Sequence, residues 1–289
     1  MRYPIPFLLI ALVLSSCSYS DLRTDLLKEP YEQDQLEQKA RQILERAKRV
    51  HGLANLSQCQ TYELTVTDDW PGLVGKFINP WPVADAAMKL RYVVGDFDGQ
   101  VEFLEGEVAG EKRGIQSWQY YEQPAEGEAD FSVKTDDGLV FILPAYQYFS
   151  ELVLRLEQAP LLLFAGEKEY AGQSYDLVFA TWKGAEPQPD LDQYLMYFNR
   201  ETGRLDLCSY TLRDNPPIAK KLYGTILFQD YREVNGIWFP FDQTVLSNEP
   251  EPGKKYLHRL QVTKLAFDTF SPDEIRPRED LKPMGDSKP

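Results

Sequence analysis

From Gln60 to Phe267 the apolar residues of this 289-residue chain recur mostly with a period of two. Tyr62, Leu64 and Val66 alternate with polar neighbours, and similar runs follow along the chain. They are Met88 to Val94, Gly99 to Glu105, Ile115 to Glu122, Phe131 to Lys134, Leu139 to Leu143 and Tyr175 to Trp182. Later come Gln193 to Asn199, Arg204 to Leu212, Leu222 to Tyr231, Ile237 to Leu246 and Leu257 to Phe267. Alternation places successive side chains on opposite faces of a strand, so each run predicts a half-buried strand. The connections suit tight hairpins. Asn235-Gly236 accepts the positive φ of a type I′ turn, and Arg200 to Gly203 suits a three- to five-residue loop. Asp96 to Gly99 and Asp136-Asp137-Gly138 read as further turns. Many strands in series with short turns predict a mainly β fold built on a meandering antiparallel sheet.

Two segments follow a helical period instead. Leu36, Ala40, Ile43, Leu44, Ala47 and Val50 share one face, Asp34 is placed to cap them, and Gly52 is a stop signal. Tyr148, Phe149, Leu152, Val153 and Leu156 form a second apolar face, opposed by Glu151, Arg155 and Glu157 and ended by Pro160. That helix reads either as core or as a lid over a cavity. Leu161 to Phe164 is an unbroken apolar run.

The N-terminus resembles a bacterial lipoprotein signal. Arg2 supplies the positive charge, Ile5 to Leu14 the short apolar stretch, and Leu14-Ser15-Ser16-Cys17 the cleavage box. The expectation is removal of residues 1–16 and lipidation of Cys17, with about 0.8 kcal/mol of membrane affinity per buried CH₂. Ser18 rather than Asp follows the cysteine, which leaves an outer-membrane, periplasm-facing location open. Residues 17–33 read as a flexible tether, 34–270 as one β domain, and 271–289 as a disordered tail.

Cleavage would remove Arg2 and move the formal net charge from -14 to -15. An acidic surface of this size repels phosphate backbones and argues against nucleic acid. Cys59 and Cys208 remain, either as a disulfide favoured by an oxidising compartment or as two separate thiols. His51 and His258 lack zinc-site spacing, a Cys-x-x-Cys companion or a nucleophile elbow, and read as structural. Asp68-Asp69 and Asp136-Asp137 read as turn residues, and Asp190 and Asp192 as solvated loop carboxylates. The expectation is no catalytic residue, no metal and no cofactor.

The stretch Tyr231 to Pro240, with its Val-Asn-Gly-Ile-x-Phe-Pro hairpin, resembles the late hairpin of the LolA/LolB-like superfamily of lipoprotein-sorting proteins. Tyr194 to Leu207, turning at Asn199 to Gly203, is similar to their central hairpin. The resemblance spans about Gln35 to Asp268. It implies an unclosed antiparallel β-barrel, helices across its mouth, and an apolar interior that holds acyl chains. The apolar hairpin positions Leu195, Tyr197, Ile226, Phe228, Ile237 and Phe239 are the candidate ligand-binding set, and Phe149, Leu152, Val153 and Leu156 the candidate lid; each of them also reads as ordinary core packing. The expected partners are lipid or acylated cargo and, through the anchor, a membrane, with the protein itself a monomer. A rival reading is an envelope interaction or sensor protein that binds a protein partner through loops such as Asn79-Pro80-Trp81-Pro82.

Overall fold

The computed structural model describes residues 19–82, 85–132, 134–213, 219–250 and 255–285. Cys17 and the signal around it lie outside these residues. The described helices are α1 (Asp25–Lys28), α2 (Gln33–His51), α3 (Leu53–Leu56), α4 (Gly72–Ile78), α5 (Asp137–Ser150) and α6 (Leu152–Leu156). The strands are β1 (Thr61–Asp69), β2 (Ala86–Val93), β3 (Gly99–Phe103), β4 (Lys112–Gln116), β5 (Gln119–Gln123) and β6 (Leu161–Tyr170). They continue as β7 (Gln173–Thr181), β8 (Tyr194–Asn199), β9 (Leu205–Thr211), β10 (Tyr223–Val234), β11 (Ile237–Ser247) and β12 (His258–Phe267).

All twelve strands form one antiparallel sheet in the order β5-β4-β3-β2-β1-β12-β11-β10-β9-β8-β7-β6. It is curved but not closed, as the resemblance implies. Two meanders, β1 to β5 and β6 to β12, meet where β1 pairs with β12. The chain leaves the first meander at one edge, β5, and enters the second at the opposite edge, β6. Its connection must cross the full width of the sheet, and α5 and α6 lie on that path. They pack into the concave face over the main core, which includes Leu64, Leu90, Phe103, Met196 and Phe228.

One end of the barrel is sealed. At the β10–β11 turn Asn235 has φ 54° and Gly236 φ 75°, the left-handed pair that a type I′ hairpin needs. This tip docks on the C-terminus of α2. Asn55 Nδ2 donates to Gly236 O at 3.2 Å, and a Cβ at Gly52 would stand 1.9 Å from the same oxygen. Gly52 is required there by both its φ of 69° and this close approach. His51 joins the seal. Its Nε2 accepts from Leu205 N at 3.1 Å, and its Nδ1 lies 3.3 Å from Trp238 O, to which it donates. Burial lowers its pKa from 6.5 to about 4, so the neutral imidazole is the folded form.

Several expectations are corrected. Ile115 to Glu122 is two strands, because Ser117 and Trp118 both adopt positive φ and turn the chain back. Leu139 to Leu143 lies in α5 rather than in a strand. Asp136 is its cap, accepting from Leu139 N at 3.1 Å, so Asp136-Asp137-Gly138 is a helix start and not a hairpin turn. The described residues of Phe131 to Lys134 lie in no strand; Asp130 forms one bridge to Glu122. The second predicted helix breaks at Glu151, and α2 begins at Gln33 with Asp34 inside its first turn rather than as its cap. Cys59 and Cys208 are free thiols: Cys208 is buried within β9, while Cys59 donates to Asn55 O after α3.

The described parts of the two flanking segments are packed. Leu22 and Leu27 are buried against the outer face of the β6–β9 sheet, beside Leu163, Phe179 and Tyr197. The guanidinium of Arg213, itself buried, clamps Ser20 O and donates to Lys220 O at 2.6 Å. At the other terminus a short 3-10 turn, Pro272–Ile275, is held by a Ser271/Glu274 capping box and buries Ile275. Arg276 then bridges Asp96 at 2.8 Å and Asp98 at 2.6 Å.

Candidate ligand-binding cavity

The second end of the barrel is open. A cavity of about 340 Å³ lies between α5 and the inner face of β9 to β12. Helical spacing explains the α5 side: Ile142, Ala145, Tyr146 and Phe149 project from successive turns of one face. Alternation explains the sheet side, where Tyr210, Ile226, Val245 and Leu260 point inward. The space exists because several lining positions are small, among them Gly138, Ala145 and Gly224. Gly224 is also where the ring of Tyr210 lies flat, since a Cβ there would stand 2.6 Å from its Cζ.

The mouth is bordered by Ile78, Pro80, Leu222 and Leu257. Ile78 ends α4, whose Leu73 and Phe77 are 91% and 89% exposed and whose Val74 is exposed as well. Few soluble surfaces leave adjacent large apolar side chains so bare. The starts of β8, β10 and β12 lie at this end together with the ends of β7, β9 and β11. The clamp between Arg213, Lys220 and Ser20 is at the same end, so the N-terminal segment enters the fold beside the mouth.

A buried carboxylate stands behind one cavity wall. Asp68 is fully buried near the end of β1. Its Oδ2 accepts from the indole of Trp70 at 2.7 Å, the indole of Trp81 at 2.6 Å, and the hydroxyl of Tyr146. Its Oδ1 faces His258 Nδ1 at 3.2 Å. Trp70 stacks on the imidazole with centroids 4.1 Å apart and planes 8° from parallel. Burial and the Asp68 carboxylate hold the Tyr146 phenol well above its usual range, so it stays a donor. Trp70, Tyr146 and His258 all line the cavity.

This cluster is absent from the sequence expectations. Asp68 is a strand residue, not a turn residue, and Trp81 is buried rather than displayed on a partner-binding loop. The signal was present in the alternation: Tyr62, Leu64 and Val66 are the inward residues of β1, and one more step of two reaches Asp68.

The predicted binding residues divide three ways. Ile226 and the lid residue Phe149 line the cavity. Phe228, Ile237 and Phe239 meet Leu152 and Val153 around a crevice of only about 30 Å³ toward the sealed end. Leu195 and Tyr197 are on the opposite face of the sheet, because Tyr194, Met196 and Phe198 take the inward positions of β8. Leu152, Val153 and Leu156 are buried core residues, fixed by a buried ion pair beside them. There Glu151 accepts from Arg155 at 2.7 Å and from Gln147 at 3.0 Å, and Gln147 also donates to Val93 O. Burial raises the Glu151 pKa, which Arg155 opposes. Among the described residues no group of three or more His, Cys, Asp or Glu is placed to hold a metal ion.

No protein-family profile and no curated protein matches the sequence. Solved structures align over most of it. One is a DUF1329 family protein from Desulfovibrio piger, 12% identical, with 81% of this chain and 95% of that chain covered and a TM-score of 0.46. Another is a LolA superfamily protein from Nitrosomonas europaea, 10% identical, covering 82% of this chain and 96% of that chain with a TM-score of 0.45. The fold itself is an unclosed antiparallel barrel with helices in its concave face.

Proposed function

We propose that this is a lipid-anchored protein of the cell envelope that binds a lipid or an acylated molecule in the cavity between α5 and β9 to β12. The observation that carries this reading is a largely apolar space that opens at one end of the barrel, of a size proper to a ligand site. Burying ten methylenes there would contribute about 8 kcal/mol before ordering costs. Such recognition needs no catalytic group, and we assign none.

The rim supports the same reading. Exposed Leu73, Val74 and Phe77 are suited to an acyl layer, and they share an end of the barrel with the N-terminal segment. Lipidation at Cys17 would leave two residues between the anchor and Ser20, a reach of about 10 Å. The mouth would then face the membrane that carries the anchor, which we take to be the outer membrane seen from the periplasm.

The test is native mass spectrometry with lipid extraction on the chain from Tyr19 onward, purified without detergent. Near-stoichiometric phospholipid or acyl species are expected. A clean unliganded mass, with no uptake of added fluorescent fatty acid, sinks the proposal and favours a protein partner.

A further inference from the structure

Two buried polar side chains in the cavity wall have bonding capacity that no described residue uses. Gln243 of β11 is 3% exposed, and its amide nitrogen has no hydrogen-bond partner. His258 of β12 is 8% exposed, and its Nε2 bonds to no described residue. A buried polar group without a partner costs about 1–3 kcal/mol, so the Gln243 nitrogen calls for an explanation. The two side chains are neighbours: Val245 pairs with His258 and Gln243 with Leu260, which places Gln243 and His258 on a diagonal of the same inward face. Diagonal positions lie about 7–8 Å apart, within the span of two long side chains and one small group.

The surroundings set what that group must be. Asp68 takes the Nδ1 proton of His258, and the Trp70 ring fixes the imidazole plane. Its Nε2 is left at the cavity wall, where it requires a group that can share a proton with it. The Gln243 amide nitrogen requires an acceptor. An ester carbonyl satisfies only the second demand. A carboxyl group satisfies both, and its two oxygens suit two separated partners better than a single hydroxyl oxygen does. The cavity, at about 340 Å³, holds roughly eleven water-sized volumes, so its measure is one chain rather than two or three.

We infer that the ligand is an unesterified single-chain fatty acid. Its carboxyl O–H is shared with His258 Nε2, its carbonyl oxygen accepts from the Gln243 amide, and its chain runs past Ile226, Tyr210 and Phe149. This rests on the reading that the cavity holds an acyl chain. It adds a choice of head group and a limit on chain number.

Titration of the chain from Tyr19 onward with palmitic acid, methyl palmitate and hexadecanol, followed by tryptophan fluorescence, tests it. The acid is expected to bind at least tenfold more tightly than the ester, with the alcohol between them. Gln243→Leu keeps the side-chain bulk and removes the orphaned amide. It should weaken acid and ester alike, since the carbonyl oxygen of either accepts from that amide. His258→Asn should remove the acid preference itself, and His258→Gln repeats that test if the first protein does not fold. Equal affinity of the native protein for acid and ester overturns the inference and leaves the acyl reading intact, as does an acid preference that survives loss of the His258 imidazole. Failure of all three ligands to bind overturns the acyl reading as well.

Discussion

The chain has two histidines, and they sit at opposite ends of the barrel in opposite conditions. At the sealed end His51 spends both ring nitrogens on backbone groups, Leu205 N and Trp238 O. At the open end His258 spends one on Asp68 and holds the other at the cavity wall. The difference extends to the helices that cross the concave face. α6 fills its site with Leu152, Val153 and Leu156 and leaves a crevice of about 30 Å³. α5 sets Ala145 opposite Gly224 and Ile226 and leaves more than ten times that space. Apolar content alone thus does not decide whether a curved sheet is filled. Residue size at a few positions does, together with whether each polar group is given a partner.

The sharpest way to break the open end is Asp68→Ala. Four donors lose their acceptor, and since each orphaned group costs about 1–3 kcal/mol, a loss of 5 kcal/mol or more is expected, read by urea unfolding. Asp68→Asn, which keeps one carbonyl oxygen, should cost less. At the packed side, Arg155→Ala leaves Glu151 buried without its cation and should cost about 3–5 kcal/mol by the same measurement. Uptake of a fluorescent fatty acid by the folded fraction should persist, because the pair lies outside the cavity.

A pH titration sharpens the contrast between the histidines. The folded pKa of His51 is depressed to about 4 from 6.5, so the unfolded chain binds the extra proton first. Stability from this group is complete above pH 6.5 and drains away as pH falls toward 4, by roughly 3 kcal/mol in all. His51→Gln should flatten that window in a series of unfolding curves. The smallest change in stability is expected from Ala145→Leu, which grows into empty space and should shift unfolding by less than about 1.5 kcal/mol. The same substitution should abolish fatty-acid uptake. Unchanged uptake would mean that the ligand lies elsewhere.

How legible all this was depended on how local the signal is. The Asn235-Gly236 turn was readable because two adjacent residue types demand one backbone shape. The Ser117-Trp118 turn has the same geometry without those types, so it hid inside an apparent strand. Leu139 to Leu143 was misplaced because a short apolar run fits either period, and only the Asp136 cap decides for a helix. Leu195 and Tyr197 were assigned to the interior although Met196 and Phe198 between and beyond them are equally apolar; which set faces inward depends on a second core formed with Leu22 and Leu27. The Asp68 cluster draws Trp70, Trp81, Tyr146 and His258 from four separate segments, and no spacing rule links them. The buried phase of Asp68 in β1 was its single trace.

The pairing of β1 with β12 has a consequence for how the molecule comes into being. Tyr62 lies opposite Phe267, so the middle of the sheet joins positions about two hundred residues apart. Closing so long a loop before its contacts are repaid makes for slow folding. Each meander can form from neighbours, but the first ends in an unpaired β1 edge until the last strand arrives. A chain still emerging, or one cut before His258, holds two half-sheets with bare inner edges and no common core. Such species invite pairing with other chains. β12 is thus a keystone made last, and a truncation that removes it should yield aggregate rather than a smaller soluble domain.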